Sequence, residues 1–322
     1  GSFRRIEDKI RITAQLVDAK NGHHLWAEKY DRELKDLFAL QDEITKEIIT
    51  ALQIKLTEGE QAKIYAKGTD NLEAYLRAMK ANWLQSQPTK ESVTQARQLA
   101  EEAIELDPRY AFPYKILGSY HMWAYWFKLS KNPKESYNRG LDLFRKAIEL
   151  DDSLAIAHIA LGYYLMQARQ YDIALAEGER AFELEPNSAD VINGYATILT
   201  MVGEYDQAIS LFKDAIRLNP KPPTTYLRFY GVALRDSGRY EEAIVQAKKA
   251  TEQEPKDLIA WIVLTSSYSL AERDEEAREA AKEILGISPK FSVELFEKRS
   301  PQKDRTVVKR YCDALRKSGL PE

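Results

Sequence analysis

One pattern recurs four times between Ala155 and Pro289, at an interval close to 34 residues. Each copy has a small residue, then Ala, then Ala or Ile, then Pro, at successive offsets of 12, 7 and 5 residues. The four copies are Gly162, Ala174, Ala181, Pro186; Ala196, Ala208, Ala215, Pro220; Gly231, Ala243, Ala250, Pro255; and Thr265, Ala277, Ile284, Pro289. A fixed period of this length predicts a repeat architecture in which each unit buries its apolar face against its neighbours.

Within each copy, the apolar residues follow helical spacing in two separate segments, which predicts a helix A and a helix B. Small residues such as Gly162 and Ala208 allow two helix backbones to approach closely. Gly203 and Gly238 lie where the chain must reverse, and glycine accepts the positive φ angles that a turn needs. The recurring prolines end each helix B, because proline removes a backbone donor and moves the residue before it out of helical geometry.

A period of 34 residues, with a small residue in each helix and a closing Pro, resembles the tetratricopeptide repeat (TPR) family. The resemblance implies a mainly α fold: a helical solenoid of about six helix pairs plus C-terminal capping helices, preceded by a small partial α/β segment. The predicted solenoid covers 71–289, after a linker at 59–70, and the capping helices cover 290–322. The predicted repeats are 71–108, 109–152, 153–186, 187–220, 221–255 and 256–289.

The first 58 residues differ from the repeats. Alternating apolar and polar residues over Lys9–Asp18 predict a half-buried strand, and Asn21-Gly22 is a strong hairpin signal. His23–Tyr30 is predicted to return as a second strand, and Phe3–Ile6 is a candidate third. Over Asp36–Leu56 the apolar period becomes helical, which predicts one helix.

This N-terminal stretch also resembles the end of the TolB-like α/β domain. The residues that carry the resemblance are Arg11–Ala19, Gly22, His24–Glu28, Tyr30–Arg32 and Asp36–Ile44. In many bacterial signalling proteins that domain links an N-terminal output module to TPRs. The module is often a class III adenylate/guanylate cyclase and sometimes a winged-helix DNA-binding domain. The resemblance therefore implies that the chain is a regulatory piece of a larger bacterial signalling protein.

Composition narrows the function classes. The formal net charge of −3 argues against a nucleic-acid binder, because such proteins present a basic surface. A single cysteine, Cys312, excludes an internal disulfide framework and favours a reducing compartment. No apolar run reaches the length of a membrane span. We expect a cytoplasmic chain with no membrane insertion and no nucleic-acid partner.

No residues form a convincing catalytic constellation. The sequence has no Gly-rich phosphate loop, no His-Glu-x-x-His pair and no paired cysteine motif. His23 and His24 are adjacent on a predicted strand, so their side chains point to opposite faces. His121 and His158 occupy helix A positions, where we expect them to pack. We therefore predict no enzyme activity, no catalytic or metal-binding residue and no cofactor.

The TPR resemblance implies a partner-binding groove, because the second, fifth, ninth and twelfth positions of each helix A line the concave side in that family. Asn193 is expected to hold a peptide amide, and Arg228 and Arg235, seven residues apart, to receive a carboxylate. The alternative is that these are tolerated surface positions. The predicted groove residues are Tyr75, Phe112, Lys115, Ser119, Ile159, Tyr163, Asn193, Thr197, Arg228 and Arg235.

An insertion in the second repeat holds the densest aromatic cluster of the chain, Trp123, Tyr125, Trp126 and Phe127. Two interpretations are open. These side chains either extend helix A and pack over the edge of the first two repeats, or form an exposed anchor for a partner.

The sequence thus predicts a protein-protein interaction scaffold that binds a peptide or a partner protein in its groove. One alternative is that the chain is the regulatory C-terminal part of a class III adenylate/guanylate cyclase. Another is self-association, a homo-oligomer formed through unpaired strand edges of the N-terminal sheet.

Overall fold

The computed structural model describes residues 1–17, 24–36, 40–41, 43–44, 68–85, 89–126 and 130–322. At residues 16–17, 24–26, 72 and 125–126 the description covers the backbone alone. The chain divides into two compact units, Gly1–Ile116 and Leu117–Glu322.

The first unit begins with a three-stranded antiparallel sheet in the order β1-β2-β3. In its register Ile12 lies opposite Phe3 on one side and Tyr30 on the other. The three predicted strands are confirmed, whereas the Asn21-Gly22 turn lies outside the described residues. The strands are β1 (Ser2–Ile6), β2 (Lys9–Val17) and β3 (His24–Glu33).

One face of this sheet carries a small core. Ile10, Tyr30 and Leu40 are buried together, with Ile12 and Ala14 packed against them. The alternation along β2 predicts this face, because successive side chains of a strand point to opposite sides. Residues 40–41 and 43–44 are helical, and most of the predicted helix over Asp36–Leu56 lies outside the described residues. β1 is an edge strand whose five residues are all exposed.

Helices make up nearly all of the remaining described chain, which confirms the predicted TPR helical solenoid. In chain order they are α1 (Leu72–Gln85), α2 (Lys90–Leu106), α3 (Ala111–Trp126), α4 (Pro133–Leu150), α5 (Ala155–Gln167), α6 (Tyr171–Leu184), α7 (Ala189–Val202), α8 (Tyr205–Leu218), α9 (Thr224–Asp236), α10 (Tyr240–Gln253), α11 (Leu258–Leu270), α12 (Asp274–Ile287), α13 (Val293–Arg299) and α14 (Arg305–Lys317).

In the second unit, helices α5 to α12 form four consecutive pairs. The first helix of each pair, helix A, contacts its own helix B, and each helix B contacts the next helix A. The A helices α5, α7, α9 and α11 also contact one another in series. Each pair is therefore buried by its neighbours, as expected of a repeat array.

The turn between helix A and helix B repeats with the sequence. Its left-handed position falls at Arg169, Gly203, Gly238 and Glu272, with φ angles of 59°, 102°, 85° and 61°. Glycine adopts this conformation without steric cost, whereas Arg169 and Glu272 hold it against the preference of residues with a Cβ. The turn geometry is thus conserved across the pairs even where the glycine is not.

The small residues mark close helix crossings. Ala174, Ala208 and Ala243 are completely buried. A Cβ added at Gly162 would lie 2.7 Å from Cδ1 of Ile198, closer than such atoms approach. The predicted steric reason for small side chains at these positions is therefore confirmed.

The last two helices pack on the final pair. Val308, Tyr311 and Leu315 of α14 share a core with Ile262 of α11 and Ile284 of α12. Asp304 caps α14, since its carboxylate accepts a hydrogen bond from the Thr306 amide at 2.8 Å. Cys312 is in the same core, where burial raises the pKa of its thiol to about 12.

Candidate functional site

Helices α5, α7 and α9 contact one another in series and so form a row of A helices. The candidate site lies on the surface along this row, which we call the inner face. Four predicted groove residues belong to other parts of the chain. Tyr75 on α1 and Phe112 and Lys115 on α3 are partly buried in the first unit, with the Lys115 Nζ 5.6 Å from the Phe112 ring centroid. Ser119, in the second unit, is buried.

The structure brings several predicted groove residues together on the inner face. Asn193 and Thr197 lie one turn apart on α7, where the Thr197 hydroxyl donates to the Asn193 carbonyl oxygen at 2.9 Å. Tyr163 of α5 shares a hydrogen bond with the Thr197 side chain and lies near the charge of Arg228 on α9. We call Tyr163, Asn193, Thr197 and Arg228 the inner polar cluster. Ile159, one turn before Tyr163, is buried beside Gly194.

The surroundings of the inner polar cluster keep the phenol of Tyr163 protonated and therefore neutral. Burial raises the pKa of Tyr163 to about 12, against the opposing effects of the Thr197 hydrogen bond and the Arg228 charge. Tyr226 donates to the Asp190 carboxylate at 2.6 Å on the same face. Arg228 is fixed at one end, where its Nη1 donates to Asp257 at 2.6 Å.

Two atoms of this cluster have no hydrogen-bond partner among the described residues. They are Oδ1 of Asn193, an acceptor, and Nε of Arg228, a donor, and both are buried. Asn193 itself is only 8% exposed. Because buried polar atoms are normally paired, two unpaired atoms of complementary type on one face make this face the candidate site.

Arg235, the other predicted carboxylate receptor, is already engaged within the chain. Its side chain is 3% exposed and forms an ion pair with Asp236, with Nε to Oδ1 at 2.7 Å. Its Nη1 donates to Ser266 at 3.2 Å, and its guanidinium lies 4.0 Å from the Tyr311 ring centroid. The two arginines that look equivalent in the sequence therefore differ, and only Arg228 keeps an unpaired donor.

The buried pair of Arg235 and Asp236 is contacted by residues 298–304 through Gln302 and by α14 through Tyr311. We call 298–304, which comprises the last residues of α13 and the loop to α14, the return segment. Arg169, just after α5, donates to the carbonyl oxygen of Lys298 at 3.4 Å. The amide of Lys303 donates to the carbonyl of Met201 near the end of α7 at 2.9 Å. The carbonyls at the end of a helix lack partners within that helix, and the return segment supplies one here.

At the end of α9 the return segment and α14 meet Asp236. The Gln302 amide donates to the Asp236 carboxylate, and Arg310 of α14 donates to the Asp236 carbonyl at 2.6 Å. The segment thus lies across the ends of three successive A helices. No periodic signal predicts these contacts, because Gln302 lies beyond the last repeat and Asp236 is not one of the recurring positions.

The aromatic insertion continues helix A of the second repeat. Helix α3 extends through Trp126, so the helical extension is observed, and Trp123 is partly buried. The side chains of Tyr125 and Trp126, and all of Phe127, lie outside the described residues. The choice between packing and a partner anchor therefore stays a prediction.

His158 is a buried histidine of α5, 4% exposed. Its Nδ1 lies 2.6 Å from Oε2 of Glu177, and its Nε2 lies 3.1 Å from the Asp152 carbonyl oxygen. Burial lowers the pKa of His158, but the hydrogen bonds to Glu177 and Asp152 together outweigh it, and the pKa is raised. Arg180, which pairs with Asp152 at 3.1 Å, completes the charges around the imidazole.

We expect the hydrogen-bonded pair of His158 and Glu177 to make the stability of the fold depend on pH. A raised pKa in the folded state means that the protonated histidine stabilises the fold below about pH 6.5, and that this contribution is lost as the pH rises through the folded-state pKa. His158→Gln should therefore lower the urea midpoint more at about pH 6 than at about pH 9. Glu177→Gln should flatten that dependence. An equal loss at both pH values in His158→Gln would contradict the assignment.

The described residues contain no group of three His, Cys, Asp or Glu side chains that could hold a metal ion. No helix in the described ranges combines the length and apolar character of a membrane span.

Comparison with known proteins identifies the class of the repeated pairs. Tetratricopeptide repeat family profiles match residues 165–228 and 230–290. These residues are tetratricopeptide repeats, and the chain folds as a TPR helical solenoid.

Particular relatives match shorter stretches. The putative adenylate cyclase 3 of Rhizobium meliloti (strain 1021) is 43% identical over 108 residues, which are 34% of this chain and 18% of that protein. The small glutamine-rich tetratricopeptide repeat-containing protein 2 of Mycosarcoma maydis is 36% identical over 90 residues, 28% of this chain and 25% of that protein. The matches thus span a quarter or less of these relatives.

Among solved structures, the APC/C hetero-tetramer Cut9-Hcn1 is similar over 87% of this chain and 52% of that one, with a TM-score of 0.55. At 17% sequence identity this likeness concerns the fold alone.

Proposed function

We propose that the chain is a non-enzymatic interaction scaffold whose inner face binds an extended segment of a partner protein. The observation that carries this proposal is the pair of buried, unpartnered atoms in the inner polar cluster, Oδ1 of Asn193 and Nε of Arg228. An extended peptide presents backbone N–H donors and C=O acceptors along its length. One such segment supplies both missing partners, an N–H for Asn193 and a carbonyl for Arg228.

The fixed surroundings of the cluster support this role. Asp257 holds one end of the Arg228 guanidinium, so its Nε is oriented before any ligand arrives. Thr197 is tied to the α7 backbone in the same way. A preorganised site loses less conformational entropy when it binds, which favours affinity. Arg235 is not assigned to the binding site, because its guanidinium already pairs with Asp236 and contacts the ring of Tyr311.

The experiment starts from peptides selected by phage display against the purified chain. A selected peptide is then titrated by fluorescence anisotropy against three variants. Asn193→Ala and Tyr163→Phe, which remove cluster groups, should each raise the dissociation constant about tenfold. Asn187→Ala is the matched control, since Asn187 is exposed before α7 and should leave binding unchanged.

Two outcomes would count against the inner face. One is a failure to select any peptide. The other is a selected peptide whose affinity is the same for both cluster variants and for the control. Thermal melting of each variant separates a lost contact from a lost fold.

The similarity to a putative adenylate cyclase favours a second candidate, in which the chain is a regulatory region of a larger signalling protein. The TolB-like resemblance of the N-terminal stretch points to the same context. The natural sequence upstream of Gly1 tests this candidate. Metal-binding Asp residues of a class III cyclase there, with cyclase activity that responds to a selected peptide, would support it. An upstream sequence without a cyclase or another output domain would exclude it.

A further inference from the structure

A cavity of about 390 Å³ lies in the second unit, outside the inner polar cluster. Three parts of the chain build it: the end of α3 with the start of α4, the end of α5, and the beginning of the return segment. Ligand pockets in proteins start at about this size, so the cavity has room for one or two side chains rather than for a whole peptide.

The side chains around the cavity give it one sign of charge. Among the described residues, its lining includes Lys134, Arg169, Lys298 and Arg299 and no carboxylate. Lys134, Arg169 and Lys298 form no ion pair with any described residue, because none of the carboxylates in those ranges lies within 4.0 Å of their charged nitrogens. Residues 127–129, outside the described ranges, are Phe, Lys and Leu, and none of them is acidic.

Aromatic and apolar groups complete the lining. The rings of Tyr137 and Tyr164 stack with centroids 4.8 Å apart, and the Tyr137 hydroxyl donates to the Tyr164 carbonyl at 3.1 Å. Met122 lines the same space. Burial raises the pKa of both phenols, so neither adds negative charge. The cavity is therefore a cationic site with a partly apolar wall.

The start of α4 offers few free backbone donors to an anion. Phosphate sites usually present several free backbone N–H groups at a helix N-terminus. Here Pro133 has no N–H, and the amides of Glu135 and Ser136 already donate to the side chain and carbonyl of Asn132. The positive charge therefore comes from separate side chains, which can each pair with one carboxylate of an acidic segment.

We propose that this cavity receives acidic side chains of the partner segment that binds the inner face. The inference rests on the proposed function and names the chemistry of the partner. Helix α5 connects the two sites, because Tyr163 belongs to the inner polar cluster and the adjacent Tyr164 lines the cavity. A partner segment that binds the inner polar cluster therefore needs carboxylates near one of its ends in order to bind the cavity as well.

A fluorescently labelled tetraglutamate peptide, acetylated and amidated at its ends, tests the cavity without the rest of a partner. Tetraglutamine is its uncharged control. Binding is measured by anisotropy to the full chain and to the double variant Lys134→Ala/Lys298→Ala. We expect tetraglutamate to bind and tetraglutamine not to bind. The affinity for tetraglutamate should be roughly tenfold lower in the double variant, and high salt should lower it in the unaltered chain and in the variant.

A second double variant, Lys249→Ala/Lys309→Ala, removes the same charge from exposed positions on α10 and α14 that do not line the cavity. It should bind tetraglutamate like the unaltered chain. Equal weakening in the two double variants would overturn the site, because it would show a response to net charge only.

Inorganic pyrophosphate provides a further arm. If it binds in a way that needs Lys134 and Lys298 while tetraglutamate does not bind, the assignment to a protein segment is wrong. Failure of tetraglutamate with intact binding of the phage-selected peptides would overturn the cavity proposal and leave the inner polar cluster standing. Loss of the selected peptides in Asn193→Ala but not in Lys134→Ala/Lys298→Ala would do the same.

Discussion

Replacing Arg235 by methionine should destabilise the chain by about 3–5 kcal/mol. Arg235 and Asp236 are both buried, and their ion pair is joined by the stack of the guanidinium on Tyr311. Methionine keeps much of the volume but leaves the Asp236 carboxylate buried without its counter-charge, which is the costly way to break such a pair. Urea unfolding followed by circular dichroism measures the loss.

Arg239→Met is the matched control, because it makes the same chemical change four residues later. Arg239 pairs with Glu242 at the surface, where an ion pair contributes about 0–1 kcal/mol. The double variant Arg235→Met/Asp236→Leu removes the orphaned charge and should recover part of the lost stability. Equal effects of the two arginine substitutions would show that the buried pair does not have the role assigned to it.

Phe212→Ala should cost a similar amount, about 3–5 kcal/mol. Phe212 of α8 is completely buried, and its ring stacks on Tyr230 of the following helix A, with centroids 5.6 Å apart. The substitution removes apolar contacts on both sides of a boundary between helix pairs and leaves a cavity that neighbouring pairs fill only in part.

The comparison variant is Ile173→Ala on α6, where the side chain is 52% exposed and a change within about 0.5 kcal/mol is expected. Urea unfolding again measures both. A loss for Phe212→Ala no larger than that for Ile173→Ala would mean that the boundary between these pairs repacks without cost, contrary to the close packing observed.

The solenoid was predictable because its contacts are mostly between neighbours along the chain. Small residues, such as Gly162 and Ala208, recur at fixed offsets because every helix pair repeats the same close crossing. The packing of one pair therefore predicts the packing of the others. The alternation along β2 was equally informative about the face that packs on Leu40. Local patterns determine local packing, and most of this fold is local.

The candidate site was predictable only in part. Family positions placed Tyr163, Asn193 and Arg228 on one face, and the structure brings them together. The difference between Arg228 and Arg235 was not predictable, because it depends on Gln302, Tyr311 and other residues far along the chain. The cationic cavity was not predictable for the same reason. Lys298 contacts Arg169, just after α5, and the repeat does not relate these two positions, which are 129 residues apart.

The contacts of the return segment and of α14 have a consequence for how the array unfolds. They join positions 129, 74 and 66 residues apart, at Arg169–Lys298, Asp236–Arg310 and Asp236–Gln302. A simple linear array frays from its ends, since each unit depends on adjacent units alone. Here hydrogen bonds join the C-terminal helices to the ends of α5 and α9. We therefore expect a more cooperative unfolding transition with less gradual fraying, and the full set of these contacts cannot form before α14 has been synthesised.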